Sequence, residues 1–137
     1  MPMKEEFVSY EIAKKLKEKG FKEKCMAHYY PSGSELVFNQ TAFRGAIVED
    51  CLYSNNSLPI ECIGSDLIDA PTIYQVLMWL RKEKRIYIYA DVCEEGWFFE
   101  VKCLRSLYMI NTDFFEKHKS YEQATLAGIE YVIDNLI

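Results

Sequence analysis

Glycine is scarce in this chain, six residues in 137 and each isolated from the others. Neither a G-x-G-x-x-G turn nor a P-loop can be written, so phosphate cradling by backbone has no sequence support. Histidine is scarcer still, with only His28 and His118. Hydrophobic runs are short: none approaches the ~20 apolar residues of a membrane span, and none follows Met1-Pro2-Met3-Lys4-Glu5-Glu6, so insertion and export both lack a signal. The expected setting is the cytoplasm, with no membrane partner. Positive charge is also in deficit, 16 Lys and Arg against 21 Asp and Glu for a net charge of -5. Such a field repels polyanions unless basic residues are locally concentrated, which argues against duplex DNA as a partner.

What is present is the material of a packed domain. Half the residues are hydrophobic and 27% charged, with ten Tyr and eight Phe. A chain of this length buries about two-thirds of the surface it exposes when unfolded. One α+β domain over 1–137 is expected, with a weak two-part organisation at 1–69 and 70–137. Five cysteines, Cys25, Cys51, Cys62, Cys93 and Cys103, are an odd number and widely spaced. They read as free thiols of a reducing compartment. Asn39-Gln40-Thr41 and Asn55-Asn56-Ser57 match glycosylation sequons that matter only in an exported protein.

Ser9 is a natural N-cap for a first helix whose apolar stripe is Val8, Ile12, Ala13 and Leu16, closed by Gly20. Its other face carries Glu11 with Lys15 and Lys14 with Glu18, ion pairs of a solvated surface. An extended stretch over 22–30, the turn residues Pro31-Ser32-Gly33-Ser34 and a short strand over 35–38 predict a hairpin. Residues 41–69 are ambiguous between strand, helix and loop, with a candidate strand at 47–53 ended by Ser54-Asn55-Asn56-Ser57 and Pro59. Pro71 suits the first turn of a second helix with Ile73, Val76, Leu77 and Leu80 at helical spacing and a basic end over 81–85.

Beyond it, Ile86, Ile88, Ala90 and Val92 alternate with Tyr87, Tyr89 and Asp91, the period of a strand with two unlike faces. A tight turn near Glu94-Glu95-Gly96 returns the chain into a strand over 97–104. Turning at Glu95-Gly96 would oppose Asp91 to Glu100, whereas turning at Glu94-Glu95 pairs Tyr89 with Glu100. Either way, Ile86, Ile88, Ala90, Val92, Trp97, Phe99, Val101 and Cys103 share the face that should carry the helices. A third strand is expected over 106–110. Ser120 with Gln123 forms a capping box for a last helix, whose apolar arc is Tyr121, Thr125, Gly128, Ile129, Val132, Ile133 and Leu136. Gly128 would let that helix approach the sheet closely. The C-terminal half thus reads αββ(β)α, helices on one face of a mostly antiparallel sheet.

No catalytic or metal constellation assembles. Cys25 and His28 have C-x-x-H spacing, but on a strand they point to opposite faces and no second ligand pair follows, so a buried thiol and a hydrogen-bonded imidazole are the expectation. His118 lies near Asp113 and Lys117 in a loop without a nucleophile context, where it should be solvated. Glu49-Asp50 and Glu94-Glu95 are adjacent acids that diverge or face solvent. No catalytic residue, metal ligand or cofactor is expected, and an enzymatic reading would need a pocket at His28 or His118.

The functional signal is the face bearing Tyr87, Tyr89 and Phe98 with Lys102. Tyrosines on a sheet's second face suit a protein partner or a homodimer, and this reading is preferred because Asp91, Glu94, Glu95 and Glu100 crowd the same hairpin. The alternative is a stacking platform for single-stranded nucleic acid, with Lys102 and the Arg81, Lys82, Lys84, Arg85 cluster for phosphates. The helix-strands-helix order resembles a double-stranded RNA-binding domain in topology only. Where such domains carry phosphate-gripping lysines, this chain has Ser120-Tyr121-Glu122-Gln123.

Three stretches, the helix over 8–21, Ala70-Pro71-Thr72 leading to Trp79-Leu80-Arg81 and the aromatic hairpin, and Tyr121-Glu122-Gln123-Ala124 running to Asn135-Leu136-Ile137, resemble small uncharacterised proteins of gut Bacteroides genomes and their prophages. The resemblance implies a bacterial cytoplasmic setting, phage or mobile-element origin, and no catalytic residues.

Overall fold

The computed structural model describes residues 6–31, 35–43, 46–49, 67–106, 108–110 and 116–137. The chain divides into two compact units, Met1–Thr72 and Ile73–Ile137. Every strand pair among the described residues is antiparallel and the protein is α+β.

In the first unit, helix α1 (Tyr10–Glu18) starts where Ser9 Oγ accepts from the Ile12 N–H at 3.3 Å and buries Ile12, Ala13 and Leu16. Gly20, at φ +89°, lets the Phe21 N–H turn back onto the Leu16 carbonyl at 3.0 Å, a left-handed stop that favours glycine. Strand β1 (Ala27–Tyr29) is central, flanked by β2 (Leu36–Phe38) and by β5 (Ile68–Ala70). The predicted hairpin is therefore β1 and β2; its turn residues 32–34 lie outside the described residues. β3 (Gln40–Phe43) and β4 (Ala46–Glu49) form a separate ribbon, so the candidate strand at 47–53 begins earlier, and its continuation through 59 lies outside the described residues.

β5 corrects the reading of residues around Pro71. Ala70 ends a strand, Thr72 bridges to Phe7, and the Pro71 carbonyl accepts from the Val8 N–H at 3.0 Å. Pro71 therefore precedes the second helix instead of sitting in its first turn: its carbonyl is committed to the chain's N-terminal segment.

In the second unit, α2 (Ile73–Trp79) runs into a wide π turn over Leu80–Lys84, which ends at Arg85 in the left-handed region, φ 58°. β6 (Ile86–Cys93) and β7 (Gly96–Cys103) form a regular hairpin with Tyr89 opposite Glu100 and Asp91 opposite Phe98. The turn is Glu94-Glu95, the choice that keeps Asp91 away from Glu100. β8 (Tyr108–Met109) adds the third strand to β7. Helix α3 (Tyr121–Asn135) packs on β6 and β7 and beside α2. Its cap is present: Ser120 Oγ accepts from the Gln123 N–H at 3.1 Å, while Gln123 Oε1 accepts from the N–H of Lys119, one residue before the N-cap, at 3.1 Å.

The sheet face towards α3 is the expected one. Ile86, Ile88, Phe99 and Val101 are buried, and a Cβ on Gly128 would lie 2.8 Å from Ile88 Cγ2. Three members of the expected apolar sets are not covered: Val92, beside the turn, is 52% exposed, and Tyr121 and Leu136, at the two ends of α3, are also exposed. All three stand at element ends.

Candidate functional site

The ladder of β6 and β7 alone places one row of side chains on the face away from α3: Tyr87 opposite Lys102, Tyr89 opposite Glu100, Asp91 opposite Phe98. The Tyr87 and Tyr89 rings stack at 5.4 Å between centroids and 28° between planes, and Tyr87 is 37% exposed. The Tyr89 hydroxyl donates to the Glu100 carboxylate. That hydrogen bond, reinforced by desolvation and by the negative charge of Glu100, pushes the Tyr89 pKa up to about 12. Phe98 is half-buried, with Lys117 Nζ 5.2 Å from its ring centroid, a cation-π contact that caps the ring.

Beside this row lies a cleft of about 230 Å³. Tyr74, Leu77 and Arg81 line it from α2 and its π turn, Tyr87, Ile88, Tyr89 and Ala90 from β6, and Tyr121 from the start of α3. Tyr74 is 65% exposed and Tyr121 44%. The structure thus brings Tyr87 and Tyr89 together with Arg81 of the basic cluster. Phe98 and Lys102 do not line the cleft. The other cations of that cluster diverge: Lys82 and Arg85 face solvent, and Lys84 Nζ sits 5.3 Å from the Trp79 ring centroid.

Two cleft residues were missed at the level of sequence. Tyr121 reads as core of the last helix, but it occupies the first position of α3 and lies open to solvent, its ring edge-on to Trp97 at 5.9 Å. Tyr74, Leu77 and Arg81 recur at i, i+3 and i+7, a second stripe beside the buried Ile73, Val76 and Leu80. That spacing was the available signal, and it points to a helix with two occupied faces.

Neither histidine stands in this cleft. His28 is buried in β1, and its Nδ1–H donates to Asn39 Oδ1 at 2.6 Å. The direction follows because a carboxamide oxygen only accepts, while Asn39 Nδ2 donates to the Cys25 carbonyl at 2.8 Å. His28 Nε2 has no hydrogen-bond partner among the described residues. Burial, with the charges of Asp69 and Glu23 adding to it, pushes the Cys25 thiol far up and leaves it inert as a nucleophile. His118 departs from the solvated loop expected of it. It is half-buried and exchanges both backbone bonds with Trp97, at 2.9 and 2.7 Å. Asp113 lies outside the described residues. Among the described residues no group of three His, Cys, Asp or Glu converges to hold a metal ion, and no helix is long and apolar enough to cross a membrane.

The fold and the cleft define an α+β protein with helices laid on an antiparallel sheet and an aromatic-lined groove beside the outer strand. Comparison with protein-family models, with curated proteins and with solved structures gives no match.

Proposed function

We propose that the protein is a non-enzymatic interaction protein of a bacterial cytoplasm, of phage or mobile-element origin, that contacts a protein partner or a second copy of itself through the face bearing Tyr87, Tyr89, Phe98 and Lys102. The observation that carries this reading is the stacked Tyr87–Tyr89 pair opening onto a groove with two further exposed tyrosines, Tyr74 and Tyr121. Tyrosine supplies a large amphipathic contact area at low entropic cost, which is why it is enriched where one protein surface meets another. The test is light scattering of the wild type beside the Tyr87→Ala/Tyr89→Ala variant. Association that disappears in the variant supports the reading, and association unchanged by losing both rings removes it.

Single-stranded nucleic acid is the second reading. It is favoured by one observation, that Arg81 lines the same groove as the stacked rings, so a phosphate and a base could be held together. A labelled single-stranded oligonucleotide should then bind with an affinity that falls steeply with salt. A flat anisotropy titration at low salt sinks it.

A further inference from the structure

β6 is eight residues long, pairs with β7 in unbroken register, and pairs with no other strand among the described residues. The Leu104 N–H donates to the Arg85 carbonyl at 2.8 Å, so the hydrogen-bonded positions towards β7 are Arg85, Tyr87, Tyr89, Asp91 and Cys93. The N–H and C=O groups of Ile86, Ile88, Ala90 and Val92 therefore point outward, and of these the Val92 N–H is already taken by Asp91 Oδ1 at 2.8 Å, which leaves Ile86, Ile88 and Ala90 as the open edge. The groove lies where they point. It touches Ile88 and Ala90 from one face and Tyr87 and Tyr89 from the other, which a single space can do only at the strand's edge. Monomeric proteins blunt such an edge with lysine, proline, a bulge or a short strand. β6 has none of these from Ile86 to Cys93.

We propose that a second copy of this chain pairs antiparallel along that edge, β6 to β6, in the register centred on Ile88; this rests on the interaction reading above and names its partner. The register follows from charge. A two-fold pairing must match outward-pointing positions with one another, so its centre moves one residue at a time. Centred on Ile88, it sets the exposed Arg85 of each copy across from the exposed Asp91 of the other, Tyr87 across from Tyr89, and Ile86 across from Ala90. Centred on Tyr89, it sets Asp91 against Tyr87. Centred on Tyr87, it sets Asp91 across from Glu83, acid against acid. Of these three registers only the one centred on Ile88 joins cation to anion, twice, and the two three-stranded sheets become one of six with four tyrosines at its middle.

Light scattering on the full chain over a concentration series tests this, with wild type, Arg85→Asp, Asp91→Arg, the double reversal, and Ala90→Pro. Wild type should dimerise. Each single reversal should weaken the dimer about tenfold by opposing like charges, and the double reversal should restore it. Ala90→Pro removes an outward N–H without touching the β7 ladder, so it should abolish the dimer with circular dichroism unchanged. If that variant unfolds, the charge series decides alone. A wild type that stays monomeric at its highest soluble concentration overturns the proposal and leaves the edge to an extended segment of another protein. A dimer indifferent to charge reversal and to Ala90→Pro, yet lost in Tyr87→Ala/Tyr89→Ala, overturns the edge register while keeping the aromatic contact.

Discussion

Replacing Gly128 with alanine should destabilise the protein, although alanine is the better helix former. Helix propensity favours the change by about 1 kcal/mol. Against that, the new Cβ would stand 2.8 Å from Ile88 Cγ2 and 3.1 Å from two carbons of the Phe99 ring. Neither neighbour yields cheaply: Ile88 Cγ2 hangs from a β-branched carbon with a stiff χ1, and Phe99 is itself buried in the same layer. Overpacking of this kind costs about 1–3 kcal/mol. With two unyielding contacts the upper end applies, so the net loss is about 2 kcal/mol. Urea denaturation of wild type, Gly128→Ala, Ile88→Ala and the double variant measures it. In the double variant the 2.8 Å contact is gone, so the two losses should fall short of additivity by about 1 kcal/mol. A Gly128→Ala protein that is stabilised by the full propensity gain would refute the close approach of α3 to the hairpin.

Asn39→Leu should cost about 2–4 kcal/mol in the same assay, because it strips the partner from both the His28 Nδ1–H and the Cys25 carbonyl; a loss near zero would count against the buried bridge. Tyr89 has its pKa raised from its ordinary value of 10.0 to about 12, so its bond to Glu100 supports the fold fully below about pH 10 and is lost as pH rises through about 12. Burial also raises the Tyr29 pKa, so ultraviolet titration should show late phenolate absorbance that shrinks in Tyr89→Phe, and a late phase unchanged in that variant would contradict it. Among the three described thiols, the hydrogen bond from Ser106 lowers the Cys103 pKa and burial raises that of Cys25. Mass mapping of alkylation in the folded state should therefore find Cys25 last, with Cys103 ahead of it; early labelling of Cys25 would contradict its burial.

What could be read from sequence was local and chemical. The α1 stripe with its Ser9 cap, the Ser120 cap and the two-faced hairpin each depend on residues close in the chain, and each is present. The hairpin register stayed open between two turn placements, and the structure takes the one that keeps Asp91 from facing Glu100. What could not be read depends on distant partners. β5 is three residues long and carries Asp69, an acid that composition assigns to the surface; it is buried because β1 pairs with it. The His118–Trp97 bridge joins backbones, which leave no mark on side-chain pattern. The groove escaped for a related reason. Tyr74 and Tyr121 belong to different helices, and only the packing of α2 beside α3 brings them to one place.

The two three-stranded sheets differ in how far apart their partners lie along the chain, and that sets an order of events. β6 meets β7 across a two-residue turn, a closure on the microsecond scale that needs nothing from elsewhere. β1 waits for β5, roughly forty residues downstream, so its second neighbour arrives only after a much longer loop has closed. On the ribosome, the N-terminal sheet stays incomplete until Ala70 has emerged. For that interval Ala27, His28 and Tyr29 present a bare strand edge to whatever is nearby. A chaperone that holds this protein during synthesis should therefore release it in response to β5, and a nascent chain stalled before residue 68 should remain open to protease at β1 while one stalled well after Ala70 does not.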